Sequence, residues 1–243
     1  MMLAAQPAIS VTTTQSAPPP RPPPPPPAVE YSFNPHISSP TAVQLRPRSD
    51  HQSPAGRAKT KTTTTRSFRI RQATIDDASA IAKLGARVFS STFGFSIPAV
   101  DLKAYLAEAY SVSAIEEDIR SSRTHLIVAC AEDEDEDDGR VVGFAQLAEG
   151  TTEPCIEDLE NIVELQRLYV DADHHGLGVG RALEREIEDM ARLMAYRIVW
   201  LGVWEGNFKA QRVYETLGFT RVGEHEFKMG KCIQTDWIMI KDL

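Results

Sequence analysis

Arg167-Leu168-Tyr169-Val170-Asp171-Ala172-Asp173-His174-His175-Gly176-Leu177-Gly178-Val179-Gly180-Arg181-Ala182-Leu183 reads as an apolar strand, a short polar turn, a glycine-rich corner and the start of a helix. Glycines at 176, 178 and 180 strip side chains from one side of the corner, so the N–H groups that open the helix can approach an anion. Taken alone the corner has several readings. A phosphate-binding Walker A loop would end in Gly-Lys-Ser/Thr, which does not follow here, and the glycine spacing differs from the dinucleotide pattern G-x-G-x-x-G. A corner that serves only to pack a helix on a sheet stays open.

Further along, Asn207 and Tyr214 lie seven residues apart, about 700° of helix, on one face and about 10 Å apart along the axis. Ala210 falls between them and keeps that face shallow. An amide, a small residue and a phenol in this order form a groove for a long thin ligand. The competing reading makes Tyr214 a core aromatic beside Leu217 and Phe219.

The flanking periodicities place these pieces in a mixed α/β sheet. Alternation suits a first strand over 67–72; 125–131 and 141–148 are strand-like, 165–170 is a buried-type strand, 198–203 is another strand, and 219–227 and 233–240 read as a terminal antiparallel pair. Helical stripes start after Thr74 and Asp77, which resemble a capping box, and run to Thr92-Phe93-Gly94. Others span 98–110, a stretch capped by Ser113 with Glu116, then 180–196, and 207–217 closed by Gly218 as a left-handed cap. Glu132-Asp133-Glu134-Asp135-Glu136-Asp137-Asp138 reads as a solvated hairpin loop, or else a lure for a polycation.

Composition splits the chain of 243 residues in two. Residues 1–66 hold most of the 16 prolines and few large apolar side chains, so a disordered tail with polyproline II character is expected, either a spacer or a ligand for a proline-recognising module. Residues 67–243 are long enough for one domain with its own core. The tail carries seven Lys/Arg and two acids, which leaves 19 basic and 32 acidic residues in the domain, a net −13. Such a domain disfavours nucleic acid and favours a cationic partner. Cys130, Cys155 and Cys232 make no closed disulfide set and no zinc spacing, and adjacent His174 and His175 point apart, so no metal is expected. No apolar run is long enough to cross a membrane. The amino terminus is poor in acids, as mitochondrial targeting segments are, but lacks arginine before Arg21; the cytoplasm is expected, with the nucleus as the alternative.

The two motifs together resemble the Gcn5-related N-acetyltransferase (GNAT) superfamily. Its acetyl-CoA motif, Gln/Arg-x-x-Gly-x-Gly/Ala, is met by His175-Gly176-Leu177-Gly178-Val179-Gly180 with histidine in first place, and its Asn-x-x-Ala-x-x-x-Tyr signature by Asn207, Ala210 and Tyr214, with Gly218-Phe219 following. Within the superfamily the chain looks most like PaiA-type polyamine acetyltransferases, through Thr92-Phe93-Gly94, Glu164-Leu165-Gln166-Arg167, Leu201-Gly202-Val203-Trp204-Glu205 and Gln234-Thr235-Asp236, among other short runs. The resemblance implies a mixed, mostly antiparallel twisted sheet flanked by helices, and acetyl-CoA as cosubstrate. It also implies a pantetheine arm paired with the backbone of Leu168, Tyr169 and Val170, a pyrophosphate over the N–H groups from Gly176 to Arg181, and Asn207 on the pantetheine or its thiol end. Tyr214 would be the general acid. Glu164, eleven residues before His175, would take the surplus proton of the attacking amine, directly or through water. Glu153, Glu157, Asp158 and Glu160 would hold a distal ammonium of a polyamine or face solvent. The expected partner is a small cationic amine, with a homodimer left open. The other readings are transfer to a protein N-terminus, a lysine or a xenobiotic amine, a non-catalytic acyl-CoA-binding module, and an interaction protein working through its tail.

Overall fold

The structure, a computed structural model, describes residues 67–132 and 139–243. The proline-rich segment and most of the acidic run lie outside the described residues.

Strands β1 (Ser67–Gln72), β2 (Thr124–Glu132), β3 (Val141–Ala148), β4 (Ile162–Val170), β5 (Ile198–Trp204), β6 (Thr220–Met229) and β7 (Cys232–Asp242) form one 7-stranded sheet in the order β1-β2-β3-β4-β5-β7-β6. Neighbours are antiparallel apart from β4 and β5, which run parallel. Helices α1 (Ala78–Phe93), α2 (Ala99–Ala109) and α3 (Val112–Arg120) precede β2, α4 (Val179–Leu193) joins β4 to β5, and α5 (Phe208–Thr216) follows β5. This is the mixed, mostly antiparallel sheet with flanking helices that the sequence led us to expect. No helix among the described residues is long and apolar enough to cross a membrane.

Two cores sit on opposite faces of the sheet. Leu165, Leu168, Val170 and Leu201 pack with Leu183 and Ile187 of α4 and with Tyr214 of α5. On the other face Val128, Phe144 and Tyr169 pack with Ile81 and Phe89 of α1 and Ile115 of α3. The strand period of two divides the residues between them. In β4 that alternation is reset by a bulge: Leu147 pairs with Leu165, but Gln146 pairs with Arg167, leaving Gln166 as the extra residue. Arg167 and Tyr169 are thereby turned to the α1–α3 side, while Leu168 and Val170 stay on the α4 side.

Several boundaries differ from expectation for local reasons. The cap of α3 is Ser111, in an extended conformation and accepting from Ala114 N at 3.1 Å, so the helix starts before Ser113. The capping pair at Thr74 holds: Asp77 Oδ2 accepts from Thr74 N at 2.7 Å. Strand β4 begins at Ile162, three residues earlier than apolarity suggested, because 162–164 pair with β5. Helix α4 ends at Leu193 in a Schellman turn, with Tyr196 N donating to Ala191 O and Ala195 at φ 65°. Gly218, at φ 98°, closes α5 as expected.

Candidate active site

Past Glu164 and Trp200 the register between β4 and β5 stops, although β4 runs to Val170 and β5 to Trp204. The two parallel strands part, and alternate N–H and C=O groups of 165–170 face a gap in place of a neighbouring strand. The side chains of Leu168 and Tyr169 are fully buried to either side, and Tyr169 Oη stands 2.7 Å from Tyr110 Oη, so both residues have only backbone to present to the gap.

At the end of β4 the chain enters the glycine corner, and three contacts hold it. Asp171 N donates to Val142 O at 2.8 Å, Asp171 Oδ1 accepts from Asp173 N at 3.1 Å, and the Asp171 carboxylate pairs with Arg87 of α1. Gly176 and Gly178 sit at φ 78° and 87°, left-handed values that a side chain would strain, although a Cβ at either position would meet open space. Their conformational freedom therefore matters as much as their bareness. His175 Nε2 lies 3.0 Å from Val170 O, which ties the ring back to the strand. His174 is buried, and Leu177 points outward at 42% exposure.

A groove of about 1040 Å³ runs from this corner across to α5. Val170, His175, Gly176, Gly178, Val179, Gly180 and Arg181, all expected at the cofactor, line one wall. The opposite wall was not anticipated: Phe208, Lys209 and Arg212 of α5 stand there, with Phe208 72% exposed. Three cations, Arg181, Lys209 and Arg212, thus border a groove floored by the amide-rich start of a helix. This is chemistry suited to a phosphorylated ligand.

Asn207 caps α5, its Oδ1 accepting from Ala210 N at 3.2 Å, while its Nδ2 is buried with no hydrogen-bond partner among the described residues. Tyr214 lies inside the α4-side core, edge-on to Phe219 at 5.5 Å, with no exposed surface and no position on the groove wall. Its hydroxyl likewise has no partner among the described residues. Burial, and then the nearby Glu184 carboxylate, push this phenol well above its ordinary value, so it stays protonated across the physiological range. Glu164 is fully buried at the level where the strands part. Of the acids expected near an amine, Glu157, Asp158 and Glu160 are exposed, whereas Glu153 is half-buried and meets His225 Nδ1 at 2.7 Å. Among the described residues no group of three His, Cys, Asp or Glu is placed to hold a metal ion.

Comparison with known proteins gives this geometry a family. An uncharacterized N-acetyltransferase of Mycobacterium bovis is 28% identical over 167 residues, 69% of this chain and 98% of its own length. N-acetylaspartate synthetase of Xenopus tropicalis is 37% identical over 95 residues, 38% of this chain and 32% of its own. A protein of Bacillus subtilis subsp. natto named "Probable spermine N(1)-acetyltransferase" is 32% identical over 108 residues, 44% of this chain and 66% of its own. The crystal structure of PaiA N-acetyltransferase from Thermoplasma acidophilum in complex with coenzyme A superposes with a TM-score of 0.58 over 73% of this chain and 99% of that one, at 20% identity, a likeness of fold. The sequence model of the acetyltransferase (GNAT) family matches residues 95–219, a span that takes in the strand gap, the glycine corner and α5, and the chain belongs to that family.

Proposed function

We propose that the chain transfers the acetyl group of acetyl-CoA to a primary amine, with polyamines such as spermidine and spermine as the acceptor class. The observation that carries the reading is the gap between β4 and β5, which opens at Glu164 and ends at a cation-bordered groove over the glycine corner. A thin arm lying in the gap would complete the backbone pairing of Leu168, Tyr169 and Val170, as an added strand does at a sheet edge. Diphosphate would take the N–H groups from Gly176 to Arg181, with Lys209 and Arg212 opposite. Asn207 Nδ2, a buried donor without a hydrogen-bond partner among the described residues, would satisfy an amide carbonyl of the arm.

Bound acetyl-CoA supplies a thioester carbonyl open to attack by an amine. An alkylammonium of pKa near 10 is only about one part in a thousand neutral at pH 7. Glu164, where the gap opens, is the base in this proposal, taking that proton directly or through water. Tyr214 is the acid for the departing thiolate; its support is a protonated hydroxyl with no competing partner among the described residues. The acidic balance of 67–243 and the likeness to a spermine acetyltransferase favour a polycation. The likeness to N-acetylaspartate synthetase raises aspartate as the rival acceptor. A cytoplasmic setting goes with this reading, because Cys130, Cys155 and Cys232 are all unpaired.

Thiol release from acetyl-CoA against a panel of spermidine, spermine, a lysine peptide, a peptide N-terminus and aspartate tests the proposal. Faster release with the polyamines is expected. Preference for aspartate or a peptide would overturn the acceptor class, and tight acetyl-CoA binding with no release from any amine would make the chain a binding module.

A further inference from the structure

On the sheet face turned away from α4, strands β5, β6 and β7 gather buried polar atoms that the groove does not use. Asp236 pairs with Trp204 on one side and His225 on the other, and it is fully buried. Neither of its carboxylate oxygens has a hydrogen-bond partner among the described residues. The nearest cation, His225 Nε2, is 3.9 Å away, beyond hydrogen-bond reach, and that nitrogen has no hydrogen-bond partner among the described residues. Two more buried donors on this side, Trp200 Nε1 and Tyr105 Oη, are also unpaired among the described residues.

Bare backbone faces the carboxylate across β5. A Cβ built on Gly202 would stand 3.6 Å from Asp236 Oδ2 and 3.8 Å from His225 Nε2, ordinary contact distances, so glycine keeps backbone alone against the carboxylate. A carboxylate kept from water without donors is expensive to hold. A ligand that brings N–H donors and positive charge removes the expense. The surrounding charge points the same way, since His225 is shared between Asp236 and Glu153, Glu205 adds a further negative charge, and Arg167, the one buried arginine among the described residues, is taken up by Asp118 at 2.6 Å and Gln146 at 2.7 Å. An acceptor that carried its own carboxylate would find no unspent cation beside Asp236.

Position decides which ammonium belongs there. Glu164 pairs with Trp200 and Asp236 with Trp204, so Asp236 lies four residues further along β5, roughly 13 Å at about 3.3 Å per residue. That is too far from the opening of the gap for the reacting nitrogen and suits a second nitrogen on the same extended molecule.

We propose that Asp236, backed by His225 and Glu153 and uncovered by Gly202, seats the second ammonium of the acceptor and so sets a preference for diamines and polyamines over monoamines. The inference rests on the amine-acetyltransferase reading, and two separate readouts keep the two apart. Spermidine binding to the full chain in the presence of CoA, followed by titration calorimetry, reads the seat; thiol release from acetyl-CoA reads the activity.

Asp236→Asn keeps the shape and removes the charge. It should weaken spermidine binding roughly tenfold or more, and lower the ratio of kcat/KM for spermidine over propylamine by a like factor. Gly202→Ala is the second variant. Its methyl group meets the surroundings only at ordinary van der Waals distance, so it folds, and it should weaken spermidine by filling the seat. Spermidine bound equally well by wild type and both variants overturns the seat while leaving amine acetylation standing. Binding lost in both variants supports the seat even in a chain that releases no thiol, an outcome that would overturn only the proposed activity.

Discussion

Replacing Tyr214 by phenylalanine removes a single oxygen from the middle of a core, and the structure makes the consequence two-sided. The hydroxyl is fully buried, has no hydrogen-bond partner among the described residues, and belongs to a ring packed on Phe219. Leaving such a group unpaired costs about 1–3 kcal/mol in the folded state, a cost that Tyr214→Phe abolishes without opening a cavity. In a domain of this size roughly 2–4 °C of Tm accompanies each kcal/mol, so the variant should melt at least about 2 °C higher. Its turnover should meanwhile fall roughly 10²–10⁴-fold if the phenol protonates the leaving thiolate. Thermal unfolding and thiol release on the same preparation give both numbers. Blanks without amine are needed because Cys155 is exposed and reacts with thiol reagents. Unchanged turnover would sink the general-acid assignment, and a lowered Tm would mean that the hydroxyl is held by a partner. A rise in stability joined to a loss of activity is the mark of a group kept for chemistry at the expense of the fold.

Asp118→Asn leaves the buried Arg167 guanidinium, 7% exposed in its side chain, without its carboxylate, and should cost about 3 kcal/mol in denaturant unfolding; a loss well below that would show the pair to be dispensable. Gly178→Ala places a side chain at φ 87° and should destabilise by about 1–2 kcal/mol while raising the KM for acetyl-CoA, a coupling checked by parallel unfolding and kinetics. For His225, burial opposes charge, but Asp236 and Glu153 outweigh it and push the imidazole up to about 9. A folded value above the unfolded one of about 6.5 gives stability that is complete below that pH and lost as pH rises through about 9. The Tm gap between wild type and His225→Gln should therefore close from about pH 6.5 to pH 9 and beyond, and a gap that widens over that range would refute the assignment.

Periodicity made β1, α1, α4 and α5 readable because each buries one face, whereas the inner strands were readable as apolar runs because cores cover both faces of the sheet. Gly176 and Gly178 were legible for a further reason, since no other residue suits their backbone. The register between strands was not legible. Three residues of β4 were missed because Glu164, charged and fully buried, interrupts the apolar run that would have signalled a strand. The bulge at Gln166 decides which side Arg167 and Tyr169 face, and nothing local marks it. Asp236 and His225 sit next to each other only through β6–β7 pairing, which itself shifts between Arg221 and Gly223. Phe208 and Arg212 are a different case: the helical arithmetic that joins Asn207 to Tyr214 also puts Phe208, Arg212 and Glu215 on the neighbouring stripe, so this wall of the groove could have been read from spacing.

The brevity of the β4–β5 ladder reaches beyond the site. Three residue pairs, 162–164 with 198–200, are the entire register between β1–β4 and the trio β5, β7 and β6. The sheet is therefore sewn from two antiparallel halves along a short seam, and amides of 165–170 that face the gap should exchange with solvent deuterium faster than their neighbours bonded to β3. A ligand lying in the gap supplies the missing stitches. Its occupancy would then be recorded as slowed amide exchange on both sides of the seam, and as a concentration-dependent gain in resistance to unfolding.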